Sequence, residues 1–393
     1  MIRIFFKTIW NQRSRNILIF IEMLLVFLVL SNLSVYYTNL VSILRIPNCY
    51  QHENVVLITI NSQGEGPEEA YFGKHLNNLK FALQANEYVE AVSISHMATP
   101  FNYNLSSNSY KYGDESFGSA YRTVDLDYGE VMRINVLKGR WFNETDRGKK
   151  VRPVVLEKEI EDETFNGDAL GKRFGEDNYE VVGITGAFKR SDSERPFVPT
   201  SFHLREIQDS NSYSWEDFLV RVREGHVNDF LNIVNREVFS VLNSRYWTIS
   251  TLNTLENQQA WQNSESRFKR LISVIVALFV IINILLGIIG ILWYNTNLRI
   301  HEIGIKRAMG NYGNRIIRQI IAENIILSLL SAIPVLIILA QAKGLRIAVI
   351  EGNLFLLSQA LAIVILLVLV VVCSWLPAKI ASSIHPANAL KYE

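Results

Sequence analysis

The run Leu271–Leu292 carries no charged residue. Crossing about 30 Å of hydrocarbon takes roughly 20 mostly apolar residues, so this stretch is long enough to span a bilayer. Three other runs have the same character. Ile17–Val35 contains a single acid, Glu22; Ile316–Ala340 carries Arg318 and Glu323 near its start; Leu354–Trp375 is uncharged. The expected class is a membrane protein with four transmembrane α-helices plus a large α+β extracytoplasmic domain. A cleavable leader is the alternative for the first run. However, no small-residue A-x-A site follows it, and an uncleaved span is expected.

Lys and Arg in short flanks set the orientation. Arg3, Lys7, Arg13 and Arg15 precede the first run; Arg299, Lys306, Arg307 and Arg315 lie between the second and third against Glu302 alone. Both flanks are expected to be cytoplasmic, as are both termini. The expected segments are 1–16 as a cytoplasmic leader, 17–35 as span one and 36–267 as an extracytoplasmic domain with stalk. Span two is 268–292, an inner segment 293–315, span three 316–340, a short outer loop 341–353, span four 354–375 and the cytoplasmic tail 376–393. Ile2, Phe5, Phe6 and Ile9 oppose Arg3 and Lys7 on a possible interfacial helix, the alternative being a poorly ordered leader. Lys and Arg number 39 against 38 Asp and Glu, which offers no basic face for nucleic acid. Cys49 and Cys373 are expected on opposite sides of the bilayer, which excludes a disulfide framework.

Between spans one and two, strand-like and helix-like patterns alternate. "NVVLITI", "VEAVSIS", "RPVVLE", "YEVVGITGAF" and "DFLVRVRE" read as strands. Glu68–Ala85, through Tyr71, Phe72, Leu76, Leu79 and Leu83, reads as a helix. So does Val227–Leu242, through Phe230, Ile233, Val234 and Phe239. His52, His75, His96, His203 and His226 are scattered without a metal-ligand spacing, and no nucleophile elbow occurs. Asp125, Asp127 and Glu130, and Glu157 to Glu163, are expected on solvated loop or helix faces rather than at a cation site. Asn102–Arg122, rich in Ser, Asn and Tyr, is either a mobile ligand-facing loop or an exposed hairpin. Trp261, Phe268 and Ile275 recur every seven residues, which points to one helix running unbroken into span two.

The inner segment "RIHEIGIKRAMGN", Arg299–Asn311, reads as a short amphipathic helix. Arg299, Glu302 and Lys306 cluster on one face, with Glu302 and Lys306 in the favourable i,i+4 order. Ile300, Gly304, Ile305 and Ala308 form the other, where Gly304 and Ala308 make a shallow strip for a packing partner. Gly310 is expected to end the helix. Ile303 and Met309 fall nearer the charged side, where a partner could cover them. A plain basic loop that only enforces topology is the alternative. Glu22 is costly within a span and is expected to have a structural role, reaching the interface or a basic partner. Asn283 is expected to hydrogen-bond between helices.

"EIGIKRAMG" resembles the signature of the MacB/FtsX-like permease family, membrane subunits of ABC transporters. "QIIAENIILSLL", which holds Glu323, and the tail "PAKIASSIHPANALKYE" are also similar to that family. In the outer segment "LKGRWFNETD", "ALGKRF" and "YEVVGITGAFK" resemble its G-R-x-F, L-G-K and V-V-G-V segments, so the resemblance covers nearly the whole chain. One departure is "SAIPVLI", whose Pro334 stands where relatives tend to be glycine-rich and invites a kink.

The resemblance implies a MacB-like periplasmic core domain and a bacterial inner-membrane location. It implies a non-catalytic subunit: no G-x-x-x-x-G-K-[ST] occurs, so ATP and magnesium would be bound by a separate ABC ATPase in two copies. A second permease copy or a paralogue is implied, and full exporters of the family often join a periplasmic adaptor and an outer-membrane channel. Arg299, Glu302, Ile303, Gly304, Lys306, Arg307, Ala308 and Gly310 would form the ATPase-coupling element; Glu22, Asn283 and Glu323 are the intramembrane polar residues. The expected function is export driven through movement of the outer domains. The alternatives are an FtsX-like regulator of an outer-face hydrolase and a lipoprotein-release permease.

Overall fold

A computed structural model describes residues 13–62, 69–101, 106–176, 178–189, 198–205, 215–309, 313–344 and 352–383. The leader before Arg13, the expected outer loop over 345–351 and the tail beyond Ser383 lie outside them. The first described helix is α1 (Arg13–Arg45), which extends past both expected ends of span one. The chain divides into two units, Ile43–Phe268 and the remainder.

In the first unit the order is β1 (Val55–Ser62), α2 (Glu69–Gln84), β2 (Val89–His96), β3 (Ser106–Tyr112), β4 (Glu115–Val124), α3 (Tyr128–Val131) and β5 (Val136–Gly139). Then come β6 (Arg152–Glu157), α4 (Lys158–Thr164), β7 (Arg173–Phe174), β8 (Tyr179–Thr185), β9 (Thr200–Leu204), β10 (Trp215–Val222), α5 (Val227–Val241) and β11 (Trp247–Thr254). They build one sheet in the order β11-β1-β10-β2-β4-β9-β6-β8-β5, with β3 added to β4 and β7 to β8. The β4–β9 and β6–β8 pairs are parallel and the rest antiparallel.

The central strands are apolar at nearly every position because both sheet faces are covered. With a side-chain period of two, Val56, Ile58 and Ile60 of β1 pack with Phe218 and Val220 of β10 under α2 and α5. Val55, Leu57 and Leu219 face the other way, against Tyr128, Val131 and Met132. On α5 the buried stripe is Phe230, Val234 and Val238. Phe239, expected on that stripe, is 40% exposed, because Val238 already fills the four-residue step from Val234.

The glycine-bearing motifs of the outer segment have a steric basis. A Cβ on Gly183 would stand 2.2 Å from the Arg140 carbonyl oxygen. One on Gly139 would stand 2.4 Å from the Val182 oxygen. β5 and β8 therefore meet backbone to backbone, pairing Gly139 with Gly183. Arg140 then reaches Asp146 of "NETD" through two hydrogen bonds, 2.5 and 2.8 Å.

Several expected solvated carboxylates are buried. Asp125 accepts from Lys80 (2.6 Å), the Ser93 hydroxyl and the Ile94 amide, and Lys80 also bridges to Asp127. Glu157 accepts from the Thr200 amide at 2.8 Å, and Lys138 binds both oxygens of Glu161. Each has a donor in place of water, the condition under which a buried charge persists. Residues 106–122 of the Ser/Tyr-rich stretch are the β3–β4 hairpin, turned at Gly113 with φ of +59°. Its Tyr110 is buried against Phe117, Phe174 and His203, while Ser107, Asn108, Ser109 and Lys111 are exposed, so the stretch is a hairpin with one face open, as the second reading expected; 102–105 lie outside the described residues.

In the second unit α6 (Leu255–Asn297), whose first residues belong to the first unit, is a single helix. It is followed by α7 (Ile300–Ala308), α8 (Gly313–Gly344), which runs through Pro334, and α9 (Gly352–Ser383). Helices α1, α6, α8 and α9 are long and apolar enough to cross a membrane. They share a core in which Met23, Phe27 and Leu30 meet Ile288, Leu292, Leu327, Val335, Leu366 and Val370. The Ser34 hydroxyl donates to the Ser358 carbonyl at 2.7 Å, joining α1 to α9. Cys49 and Cys373 are both free and buried.

Candidate coupling site

Helix α6 ends at Asn297 and α7 begins at Ile300, so only Leu298 and Arg299 lie between them. The Arg299 carbonyl accepts the Ile303 amide at 2.9 Å and so opens the first turn of α7. One turn on, Ile303 is 5% exposed and packs with Ile316 and Ile320 of α8 and with Ala378 and Ala381 of α9. Its cover therefore comes from the chain itself, not from a partner. Gly304 is buried beside it, whereas Ile305 and Met309 are 41% and 74% exposed. The small alanines at 378 and 381 admit this close approach. They lie beyond the expected end of span four at Trp375, because α9 continues through Pro377 to Ser383.

The guanidinium of Arg299 also turns into the chain. Its Nη1 lies 2.5 Å from Glu323 Oε2 on α8, and its Nε 3.6 Å from Glu302. Gln319, one turn before Glu323, donates from Nε2 to Oε1 at 2.9 Å. The next residue, Asn324, donates to Ser374 of α9 at 3.1 Å. Thr296, Arg299, Ile303 and Asn324 line a small polar crevice beside the pair. Among the described residues, α7, α8 and α9 and the two-residue link before α7 are thus held by the ion pairs of Arg299 with Glu323 and Glu302, the Gln319–Glu323 and Asn324–Ser374 hydrogen bonds and one apolar cluster. The side chains of Lys306, Arg307 and Ala308, and residue Gly310, lie outside what is described, and with them the expected Glu302–Lys306 pair.

The remaining intramembrane polar residues sit elsewhere. Glu22 presses its carboxylate on α6 at Gly287, where a Cβ would come within 2.5 Å of Oε1. Among the described residues Asn283 bonds within its own helix rather than between helices: it is exposed, and its amide donates back to the Phe279 carbonyl at 2.8 Å. Ile316, Gln319, Ile320, Ala378 and Ala381 fall in segments singled out in the sequence but were assigned no role there, and Ser374 was given none either. Only the Ala378/Ala381 spacing carried a local signal.

Comparison with known proteins accounts for both units. Residues 29–229 match the MacB-like periplasmic core domain, and residues 274–386 the FtsX-like permease C-terminal domain. A macrolide export ATP-binding/permease protein MacB 2 from Yersinia pestis is 24% identical over 360 residues, covering 86% of this chain and 52% of that protein. A MacB from Acinetobacter baylyi is 23% identical over 345 residues, 84% of this chain and 50% of the relative. The chain thus spans about half the length of the curated relatives it matches. Among solved structures, the periplasmic region of MacB from Actinobacillus actinomycetemcomitans aligns with 55% of this chain and 94% of its own, at 16% identity and TM-score 0.35. The extracellular domain of the ABC-type transporter YknZ from Gram-positive bacteria aligns with 50% of this chain and all of its own, at 15% identity and TM-score 0.35. With the first of these domains taking up most of the sheet-bearing unit, and the second the span-bearing end with its "EIGIKRAMG" helix, the chain belongs to the MacB/FtsX-like permease family of ABC transporters.

Proposed function

We propose that this chain couples ATP hydrolysis by a separate ABC ATPase to movement of its sheet-bearing domain, and that this movement drives export of a substrate. The observation that carries the reading is α7, a short helix fastened on one side by Ile303 to α8 and α9 while Ile305 and Met309 stay exposed. A helix anchored on one side and open on the other is suited to receive a push and pass it to the spans. Allosteric coupling needs such an element, whose equilibrium both sites bias. Relatives named for macrolide export make a small amphiphilic molecule a reasonable first substrate class to test. Both termini and α7 are placed in the cytoplasm on the strength of the Lys/Arg flanks.

The test is to purify the permease from its native membrane and identify what co-elutes. A co-eluting ABC ATPase whose binding is lost in Glu302→Lys/Lys306→Glu, with the protein still folded, supports the proposal. No ATP-hydrolysing partner, or binding and turnover untouched by the double change, refutes it.

A further inference from the structure

We infer that the Arg299–Glu323 pair is the joint that makes α7 move together with α8. The inference rests on the permease reading above and assigns to these two residues a role in positioning rather than in meeting the ATPase. Arg299 belongs to two systems at once. Its backbone carbonyl starts α7 by accepting the Ile303 amide, and its guanidinium binds a carboxylate 24 residues later on α8, with both side chains close to buried (11% and 7% exposed). A residue fixed at both ends this way cannot let α7 tilt without either dragging α8 or breaking the pair.

The carboxylate is itself held. Gln319 fixes the second oxygen of Glu323, so the acceptor is oriented along α8 before Arg299 arrives. Charge-assisted bonds of this kind are short and strong, and strongest where water is kept out. Glu302 stands behind as a second acid, at 3.6 Å from Nε. The apolar cluster alone would not serve, because Ile303 between two alanines and two isoleucines can slide, whereas an ion pair with a pre-set acceptor has one register. Arg299 is therefore a positioning residue, and the outward-facing part of α7 is left to exposed side chains, Ile305 and Met309 among those described.

The experiment uses the full-length chain in lipid nanodiscs, with and without its ATPase. Backbone amide exchange over 300–309 is measured first, for Arg299→Gln, Glu323→Gln and the exchange Arg299→Glu/Glu323→Arg. Each single change is expected to speed exchange across α7 at least tenfold, and the reversed pair to recover most of that loss. Exchange unaltered by the single changes overturns the joint, and this arm needs no ATPase.

With the ATPase bound, the single variants are expected to keep at least half of the ATP turnover. They should lose at least fivefold of the ATP-dependent distance change read by spin labels between sheet-bearing domains. The reversed pair should restore it. A distance change that persists in both single variants overturns the inference, as does loss of ATPase binding that the reversed pair fails to restore. If the wild-type chain engages no ATPase, the permease reading fails, and the exchange arm still decides the joint.

Discussion

Gly183→Ala isolates the close approach of β5 and β8. The φ of Gly183 is not in the left-handed region, so the cost is steric alone. The new Cβ would sit 2.2 Å from the Arg140 oxygen, whereas carbon and carbonyl oxygen in ordinary contact lie about 3.3 Å apart. The strands would have to part by about 1 Å, which stretches the 3.0 Å bond from the Arg140 amide to the Val182 carbonyl beyond use. Overpacking costs about 1–3 kcal/mol and a lost backbone bond about 1 kcal/mol. The entropy gained by removing a glycine offsets about 0.4–1 kcal/mol. The net loss is about 2–3 kcal/mol, or about 5–10 °C in the transition of a domain this size.

Gly148→Ala is the control. Its φ is +66° with nothing within 4 Å, so it carries only the left-handed penalty of about 1–2 kcal/mol, partly offset by the same entropy. Thermal scans of the detergent-purified chain, following amide exchange of β8, separate the two. A Gly183→Ala midpoint no lower than that of Gly148→Ala refutes the backbone-contact account.

Ile303→Ala removes a side chain enclosed by two helices and is expected to cost about 2–4 kcal/mol locally, seen as faster amide exchange over α7. Ile305→Ala, at an exposed position, should leave that exchange unchanged and instead weaken ATPase binding in a pull-down. Asn283→Leu should leave the melting temperature within about 1 °C, since surface changes stay within about 0.5 kcal/mol; a larger drop would mean the amide bonds to another helix. Burial pushes the Asp217 carboxyl up from 3.8 to about 6, against the Thr99 and Thr59 hydroxyls that donate to it. With the folded value above the unfolded one, its contribution is complete below about pH 4 and is lost as pH rises through about 6. At about 1.4 kcal/mol per unit, that is up to about 3 kcal/mol. Asp217→Asn should therefore flatten the fall in melting temperature between pH 4 and 7, and an unchanged slope would refute it.

The four spans, α2 and α5 were legible because hydropathy and a 3.6-residue period are properties of a single segment. Which face of a helix meets a neighbour is not. Asn283 was misplaced for that reason, since its surroundings depend on where the other three helices stand. Glu323 and Arg299 were each singled out, yet nothing in their spacing pairs them; only the return of α8 alongside the hinge does. Asp125, Glu157 and Glu161 read as solvated because a charge in a single sequence carries no mark of its donor, and Lys80 and Lys138 come from distant segments. Gly183 was noticed through a motif, but the Arg140 oxygen behind it follows from strand register, which a lone strand does not specify.

The sheet order carries a consequence for biogenesis. β1 is flanked by β10 and β11, and its first residue, Val55, pairs with Arg221. At roughly 5–20 residues per second of synthesis, a ribosome needs on the order of ten to thirty seconds to make the strands that will shelter "VVLITI". For that interval a nearly all-apolar segment has no sheet to join, and it must be kept from pairing with its like on neighbouring nascent chains. Newborn copies of this protein are thus most vulnerable before residue 222 has been made, and slowing or crowding synthesis there should favour aggregation over any defect in the spans.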